Sequence, residues 1–99
     1  MMKNKVVNIA VQILPFSTKL KSYDVVDQAI EVIACSGVKY RVTPFETVME
    51  GRYERLMEIV QDVQSVCYEA GVDSVLCNIK IQSNKEGLVS IEDKTGKYD

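Results

Sequence analysis

The chain has 99 residues, of which 46% are hydrophobic and 26% charged, a composition typical of one soluble globular domain. We therefore expect a single domain over residues 1–99. The net charge of −2 disfavours binding to a nucleic-acid backbone, which requires a basic surface. The longest uncharged run, 6–18, is shorter than the roughly 20 apolar residues that cross a bilayer, and its pattern does not predict a signal peptide. We expect neither nucleic acid nor a membrane as partner.

The residue types that carry catalytic chemistry are few. The sequence has no histidine, the side chain most used for acid–base catalysis near neutral pH and a common metal ligand. Its cysteines, Cys35, Cys67 and Cys77, are odd in number, lack CxxC spacing and each lie in an apolar pattern. We predict buried, reduced thiols in a cytoplasmic protein. We expect no enzyme, no catalytic residue, no metal and no cofactor.

The first third of the chain predicts a strand followed by a helix. Val6–Leu14 alternates between two faces, as in a strand with one buried face, and Pro15 is expected to end it. Ser22 is of the type that caps helix N-termini, and the apolar residues that follow it recur at helical spacing. Gly37 stands just past the last apolar turn, where a residue with positive φ is common.

The rest of the chain predicts a hairpin, a long helix and a last strand. These elements are the hairpin stretches Val38–Thr43 and Thr47–Glu50, a long helix that follows Gly51 and runs to Ala70, a strand over Val72–Ser83, and a capped helical turn over Ser90–Lys94. Gly71 follows the long helix as Gly37 follows the first one, so the two halves resemble each other. We expect residues 96–99 to be frayed.

The order strand, helix, strand, strand, helix, strand predicts an α+β, ferredoxin-like βαββαβ fold. Right-handed crossovers then give a four-stranded antiparallel sheet of order 4-1-3-2 with two helices on one face. The residues predicted to be buried between sheet and helices are Val7, Ile9, Val11, Ile59, Val63, Ile79 and Ile81.

The sheet face opposite the helices has an unusual mixture of side chains. It is predicted to carry Asn8, Ala10, Gln12 and Leu14 from the first strand and Leu76, Asn78, Lys80 and Gln82 from the last. This set is too apolar for a typical solvent-exposed face and too polar for a dry core. It is a subunit interface, the floor of a ligand site, or an ordinary amphipathic face. We expect another subunit to bury Leu14 and Leu76, giving a dimer or tetramer.

Three segments together resemble a known family. They are Val11 to Phe16 (VQILPF), Tyr40 to Gly51 (YRVTPFETVMEG) and Ser90 to Lys94 (SIEDK). They are similar to those of the YkoF-like thiamine-binding protein family, small ferredoxin-like proteins of which many are uncharacterised. The most specific part is the threonine three residues before Glu-Gly. This sequence has Glu46 where many members have glycine, which bears on the shape of the hairpin.

The resemblance implies that the protein binds thiamine or its hydroxymethylpyrimidine moiety as a small-molecule ligand. It also implies homo-oligomers, typically homotetramers made from paired dimers, and it implies no reaction. The alternative is a homo-oligomeric assembly or regulatory module with no metabolite ligand, in which the open sheet face only pairs subunits.

Seven residues are candidate ligand contacts, each with a structural alternative: Asn8, Gln12, Leu14, Phe16, Thr47, Glu50 and Asn78. The Glu50 carboxylate could bind an aminopyrimidine or face a thiazolium cation, or it could cap the helix that follows. Thr47 could donate to a ligand, or simply suit a strand because it is β-branched.

The three amides and the two apolar residues among these candidates also have two interpretations. Asn8, Gln12 and Asn78 could recognise a heteroaromatic edge or form a polar layer between paired sheets. Phe16 could stack on a ring or plug the end of the core, and Leu14 could form an apolar wall. Arg41 and Arg52 could bind an anion such as a phosphorylated ligand, or be surface charges.

Overall fold

The computed structural model describes residues 2–19, 22–86 and 88–98. Its elements are strand β1 (Val6–Phe16), helix α1 (Ser22–Ala34), strands β2 (Lys39–Val42) and β3 (Thr47–Arg52), helix α2 (Tyr53–Glu69), strand β4 (Ser74–Gln82) and helix α3 (Ile91–Thr95). Short 3₁₀ turns at Met2–Asn4 and Gly96–Tyr98 precede and follow them. Within these residues, no helix is long and apolar enough to cross a membrane.

The four strands form one antiparallel sheet in the order β2-β3-β1-β4, which confirms the predicted 4-1-3-2 order. β1 is a central strand, with Ile9 opposite Met49 of β3 on one side and Ile81 of β4 on the other. Because directly opposed residues of an antiparallel pair share a face, this register assigns every strand residue to one of two faces.

The hydrophobic core lies between one face of the sheet and helices α1 and α2. Its sheet residues Val7, Ile9, Val11 and Met49 are buried, as are Val25, Ala29 and Ile33 of α1 and Leu56, Ile59, Val60, Val63 and Cys67 of α2. The helical spacing of these residues is the apolar stripe that the sequence predicted. The fold class and this part of the core are confirmed.

Two predicted core residues are not buried. Ile79 and Ile81 face the helix side of the sheet, as expected, but are 38% and 44% exposed. They lie on β4, which is an edge strand, whereas α1 and α2 pack mainly over β1 and β3. Alternation had identified the face correctly, but it does not show how far the helices extend over that face.

The element boundaries show how the sequence ends its strands and helices. β1 continues through Pro15, contrary to the expectation that this proline would end it. Pro15 lies past the last β1–β3 pair, on a stretch that pairs only with β4, so its missing N–H breaks no bond to β3. Gly37 and Gly71 have φ of 86° and 103°, the left-handed conformation predicted after each helix. The cap predicted at the Ser22 side chain lies outside the described side chains.

The cysteines are all free thiols, but only one is fully buried. Cys67 lies in the core and Cys77 is partly buried, and burial raises the pKa of both thiols. Cys35 is exposed, which corrects the prediction of burial. Its thiol donates to the Glu31 carboxylate at 3.2 Å, and this hydrogen bond raises the pKa of Cys35. A raised pKa lowers the thiolate fraction, which disfavours a reactive thiol.

The C-terminal segment covers part of the sheet face that was expected to be free of helices. α3 follows a loop from β4 and packs on the side of the sheet opposite α1 and α2, where Ile91 and Val89 are buried. Residues 96–98 continue as a 3₁₀ turn, so the expected fraying is wrong there. The open face is therefore divided into a part under α3 and an uncovered part.

The opposed pair Ile9 and Ile81 offers a test of the fold. Ile9→Asp places an unpaired carboxylate at a fully buried position, which costs several kcal/mol against a total stability of about 5–15 kcal/mol. We expect this variant to be largely unfolded by circular dichroism and thermal melting. Ile81→Asp makes the same change directly across the sheet at a position 44% exposed, and should melt close to the wild type. Equal melting of the two variants would contradict the assigned core.

Candidate functional site

The contacts of α3 with the sheet use two of the candidate ligand residues. The Ile91 main-chain N–H donates to the Glu50 carboxylate at 2.6 Å, and the Lys94 ammonium donates to the Asn8 side-chain oxygen at 2.7 Å. The Asn8 side-chain N–H donates in turn to the Val89 carbonyl at 3.2 Å. Asn8 and Glu50 therefore hold the C-terminal segment on the sheet.

Glu50 caps a helix, but a different helix from the one expected. α2 begins after Arg52 and has no side-chain cap, whereas the Glu50 carboxylate accepts the first N–H of α3. The reason is the parity of β3, because Glu50 points to the face opposite the core while α2 packs on the core face. A carboxylate at a helix N-terminus is also favoured by the helix dipole.

A cavity of about 310 Å³ lies between α3 and the sheet; we call it the open-face cavity. It is lined by Asn8, Ala10, Arg41, Thr43, Val48, Lys80, Ile81, Gln82, Ile91, Lys94 and Thr95. Arg41 donates to the Thr95 hydroxyl at 3.3 Å, and the Lys80 ammonium lies 3.3 Å from the Glu46 carboxylate. Its ionisable lining residues are thus three cations, Arg41, Lys80 and Lys94.

The part of the open face beyond α3 carries the other two amides. The Asn78 side chain donates to Gln12 at 3.1 Å, so these amides pair with each other across β1 and β4. Leu14 and Leu76 are the next pair along, and Leu76 is 50% exposed. This uncovered patch has the polar and apolar mixture that the sequence predicted.

A second cavity arises because β1 is longer than the strand beside it. The β1–β3 ladder ends at the pair Val11–Thr47, whereas the β1–β4 ladder continues to Phe16. The Tyr53 N–H donates to the Lys5 carbonyl at 2.9 Å, which places the odd-numbered residues of β1 in hydrogen-bonded pairs with β3. By the same alternation, the main-chain N–H and C=O of Ile13 point to the side of β1 where β3 has ended. We call the space beside this overhang the β1 notch.

The β1 notch has a volume of about 240 Å³ and lies between the overhang of β1, helix α1 and the β2–β3 turn. Its α1 wall is Tyr23, Val26, Ala29, Ile30 and Ile33, and its turn wall is Val42 to Thr47. The Thr43 hydroxyl fixes this turn, because it donates to the Glu46 carbonyl at 2.6 Å and accepts the Glu46 N–H at 3.1 Å. Phe45 and Tyr23 are both strongly exposed at this cavity.

Thr47 lines the β1 notch and is only 5% exposed. Among the described residues its hydroxyl has no hydrogen-bond partner, and none of these residues has a fully buried side-chain oxygen without a partner, so the Thr47 hydroxyl oxygen is itself not fully buried. A hydroxyl that lines a cavity and has no protein partner can bond water or a ligand there. Thr47 lies on the helix side of the sheet, whereas the sequence had placed it in one site with Glu50.

The structure therefore divides the seven candidate residues among four places. Thr47 lines the β1 notch, Asn8 and Glu50 lie under α3, and Phe16 is 54% exposed at the end of β1. Gln12 and Leu14 also border the notch, but their side chains face the uncovered open face, beside Asn78 and Leu76. The exposure of Phe16 shows that it does not plug the core.

Sequence reasoning missed the aromatic residues and the main chain at the notch. Tyr23, Phe45 and the Ile13 main chain were not among the candidates. A signal for Phe45 was present, since an aromatic residue directly after a proline in a short hairpin turn is unlikely to be part of a core.

Three comparisons with known proteins agree on the relatives of this chain. A family model for thiamine-binding proteins matches residues 9–99. A UPF0045 protein of Clostridium perfringens is 44% identical over 91 residues, which are 92% of this chain and 95% of that protein. The UPF0045 protein YqgV of Bacillus subtilis is 27% identical over 89 residues, covering 85% and 86% of the two chains.

Solved structures show the same fold. A domain of unknown function, DUF77, from Bacillus cereus has a TM-score of 0.92 and 34% identity, over 100% of this chain and 95% of that one. A candidate thiamine biosynthesis/salvage protein of Thermotoga maritima has a TM-score of 0.84 and 29% identity, over 95% of this chain and 99% of that one. The resemblance inferred from the sequence motifs is confirmed. The chain belongs to the thiamine-binding protein family, together with the UPF0045 proteins.

Proposed function

We propose that this protein is a non-catalytic, cytoplasmic binding protein for thiamine or its hydroxymethylpyrimidine moiety, and that the ligand lies in the β1 notch. Membership of the thiamine-binding family supports the ligand class, as does the description of the Thermotoga maritima neighbour. The observation that carries the position of the site is the Thr47 hydroxyl, which lines the notch beside the end of the β1–β3 ladder and has no hydrogen-bond partner among the described residues.

The pyrimidine half of the ligand fits the strand edge. An aminopyrimidine presents an amino donor next to a ring-nitrogen acceptor. The Ile13 N–H and C=O on the overhang of β1 offer the complementary pair, in the manner of a missing strand. The Thr47 hydroxyl can donate or accept and adds a third contact. The apolar α1 wall would exclude water from these hydrogen bonds.

The thiazolium half carries a positive charge, which fits the mouth of the notch and not the open-face cavity. Phe45 and Tyr23 supply aromatic faces at the notch, whereas the Glu46 carboxylate is already paired with Lys80. A cation over an aromatic ring gains about 0.5–1 kcal/mol at an exposed site. The open-face cavity would instead place the thiazolium near Arg41, Lys80 and Lys94.

A binding role without catalysis suits the chemistry of the notch. Among the described residues that line it, only Glu46 and Tyr23 have ionisable side chains. In this proposal Thr47 keeps its predicted ligand role, whereas the side chains of Gln12 and Leu14 belong to the uncovered open face. Asn8 and Glu50 act by holding α3, since their side chains are already bonded to that segment.

Thr47→Val tests the position of the site, because valine keeps the shape and removes the hydroxyl. We expect thiamine affinity, measured by calorimetry, to fall about 2- to 12-fold, the value of a typical hydrogen bond. The melting temperature should not fall, since the hydroxyl has no partner in the protein.

Two matched variants complete this test. Thr18→Val makes the same change at an exposed position outside the notch, and Glu50→Gln alters the opposite sheet face. Both should bind thiamine as the wild type does. Loss of affinity in Glu50→Gln with none in Thr47→Val would move the site to the open face. Absence of wild-type binding to thiamine and to hydroxymethylpyrimidine at millimolar concentration would contradict the proposed ligand.

We also propose that the uncovered open face joins copies of this chain into a dimer or tetramer. Leu14 and Leu76 form an apolar pair there, next to the paired amides of Gln12 and Asn78. An apolar pair on a sheet face with no helix over it is stabilised when another sheet packs on it. The same surface supports the second candidate function, an assembly module without a metabolite ligand.

Leu76→Lys tests this surface. Light scattering at micromolar concentration should give a dimer or tetramer for the wild type and a smaller species for the variant, because the lysine would be desolvated in the interface. Tyr68→Lys changes a residue of similar exposure on α2 and should leave the assembly intact. A monomeric wild type would contradict the interface. Assembly without thiamine binding would favour the assembly module.

A further inference from the structure

We propose that the open-face cavity is a second binding site, separate from the β1 notch, for a phosphate monoester of a small flat apolar molecule. The cavity lies on the opposite side of the sheet from the notch and is closed on one side by α3. The proposal does not rest on thiamine binding in the notch.

The charge of the cavity favours an anion. The chain as a whole is acidic, with a net charge of −2, yet the cavity is lined by Arg41 from β2, Lys80 from β4 and Lys94 from α3. No aspartate or glutamate is among its described lining residues. Cations that converge on a concave site from separate elements raise the local concentration of an anion. Three of them match a phosphate monoester, of charge about −1.5 to −2, better than a carboxylate.

Two of these cations are positioned by the fold. The Lys94 ammonium is bonded to Asn8, which is 4% exposed and itself anchored to the Val89 carbonyl. Arg41 is bonded to Thr95 of α3. Ordering these long side chains in advance reduces the entropy lost when a ligand binds. The Lys94 ammonium keeps further donors, because it has three N–H groups.

Lys80 is the cation of the three that can most easily change its partner. Its ion pair with Glu46 spans an exposed surface, and exposed pairs contribute at most about 1 kcal/mol. A phosphate in the cavity can therefore draw the Lys80 ammonium away from Glu46 at little cost.

The uncharged part of the cavity defines the rest of the ligand. Ala10 and Val48 are opposed on β1 and β3 and form an apolar floor, with Ile91 of α3 beside it. Because the side chain of Ala10 is small, the cavity is deeper at the centre of the sheet. The volume of about 310 Å³ is at the lower end of the roughly 300–1,000 Å³ of small-molecule sites. The site thus fits one flat ring with a phosphate at its rim.

Calorimetry at low salt with phenyl phosphate, inorganic phosphate, benzoate and phenol tests the proposal. We expect phenyl phosphate to bind most tightly and to weaken as salt is added. Inorganic phosphate binding as tightly as phenyl phosphate would contradict the apolar floor. Benzoate binding as tightly would contradict selection of a phosphate. Absence of phenyl phosphate binding at millimolar concentration would overturn the site.

Charge-removing variants then locate the binding. Arg41→Gln and Lys80→Gln, both at exposed positions, should each weaken phenyl phosphate binding about 10- to 150-fold, the value of a charge-assisted hydrogen bond. Lys85→Gln removes the same charge at an exposed position outside the cavity and should have little effect. Equal loss in all three variants would mean attraction by overall charge and would overturn the site. Thr47→Val should bind phenyl phosphate normally, which separates this proposal from that for the notch.

Discussion

The unequal lengths of β1 and β3 determine where a ligand can meet the main chain of this protein. β1 has eleven residues and β3 only six, so the β1–β3 ladder stops at Thr47 while β1 continues along β4 to Phe16. Main-chain N–H and C=O groups need partners or water. On the overhang, Pro15 has no N–H that needs a partner. The N–H and C=O of Ile13 face the β1 notch, where water or a ligand can bond them. The Thr47 hydroxyl lines the same notch and has no hydrogen-bond partner among the described residues.

The parity of β3 separates two functions that the sequence motif had joined. Thr47 and Glu50 are three residues apart on one strand, so their side chains must point to opposite faces. Thr47 faces the notch and Glu50 faces α3, where it caps this helix. The sequence predicted a helical turn here but not its position on the sheet. The glutamate of this motif is thereby explained by the fold, and the threonine is the one of the two that we propose as a ligand contact. The alternation of side chains along a strand already predicts that Thr47 and Glu50 point to opposite faces.

The strand order and the helix-side core could be predicted from the sequence, because period two and helical spacing decide which residues face each other. Three features could not. The exposure of Ile81 depends on how far the helices extend over an edge strand. The burial of Asn8 depends on the C-terminal segment packing on the sheet, which brings Val89 into contact with Asn8, 81 residues earlier in the sequence. The notch depends on where a ladder stops, which is a property of two strands together. Each of these is a tertiary relation between segments distant in the sequence.

The central claim is that the overhang of β1 acts as the missing partner strand for the pyrimidine ring of a ligand. The most direct measurement is the main-chain amide chemical shift of Ile13 during titration with thiamine, followed by two-dimensional NMR. The account predicts that Ile13 shifts strongly downfield as its N–H acquires an acceptor, with smaller shifts at Thr47 and Phe45. Saturable shifts confined to Leu76, Asn78 and the other open-face residues, with Ile13 unchanged, would contradict it.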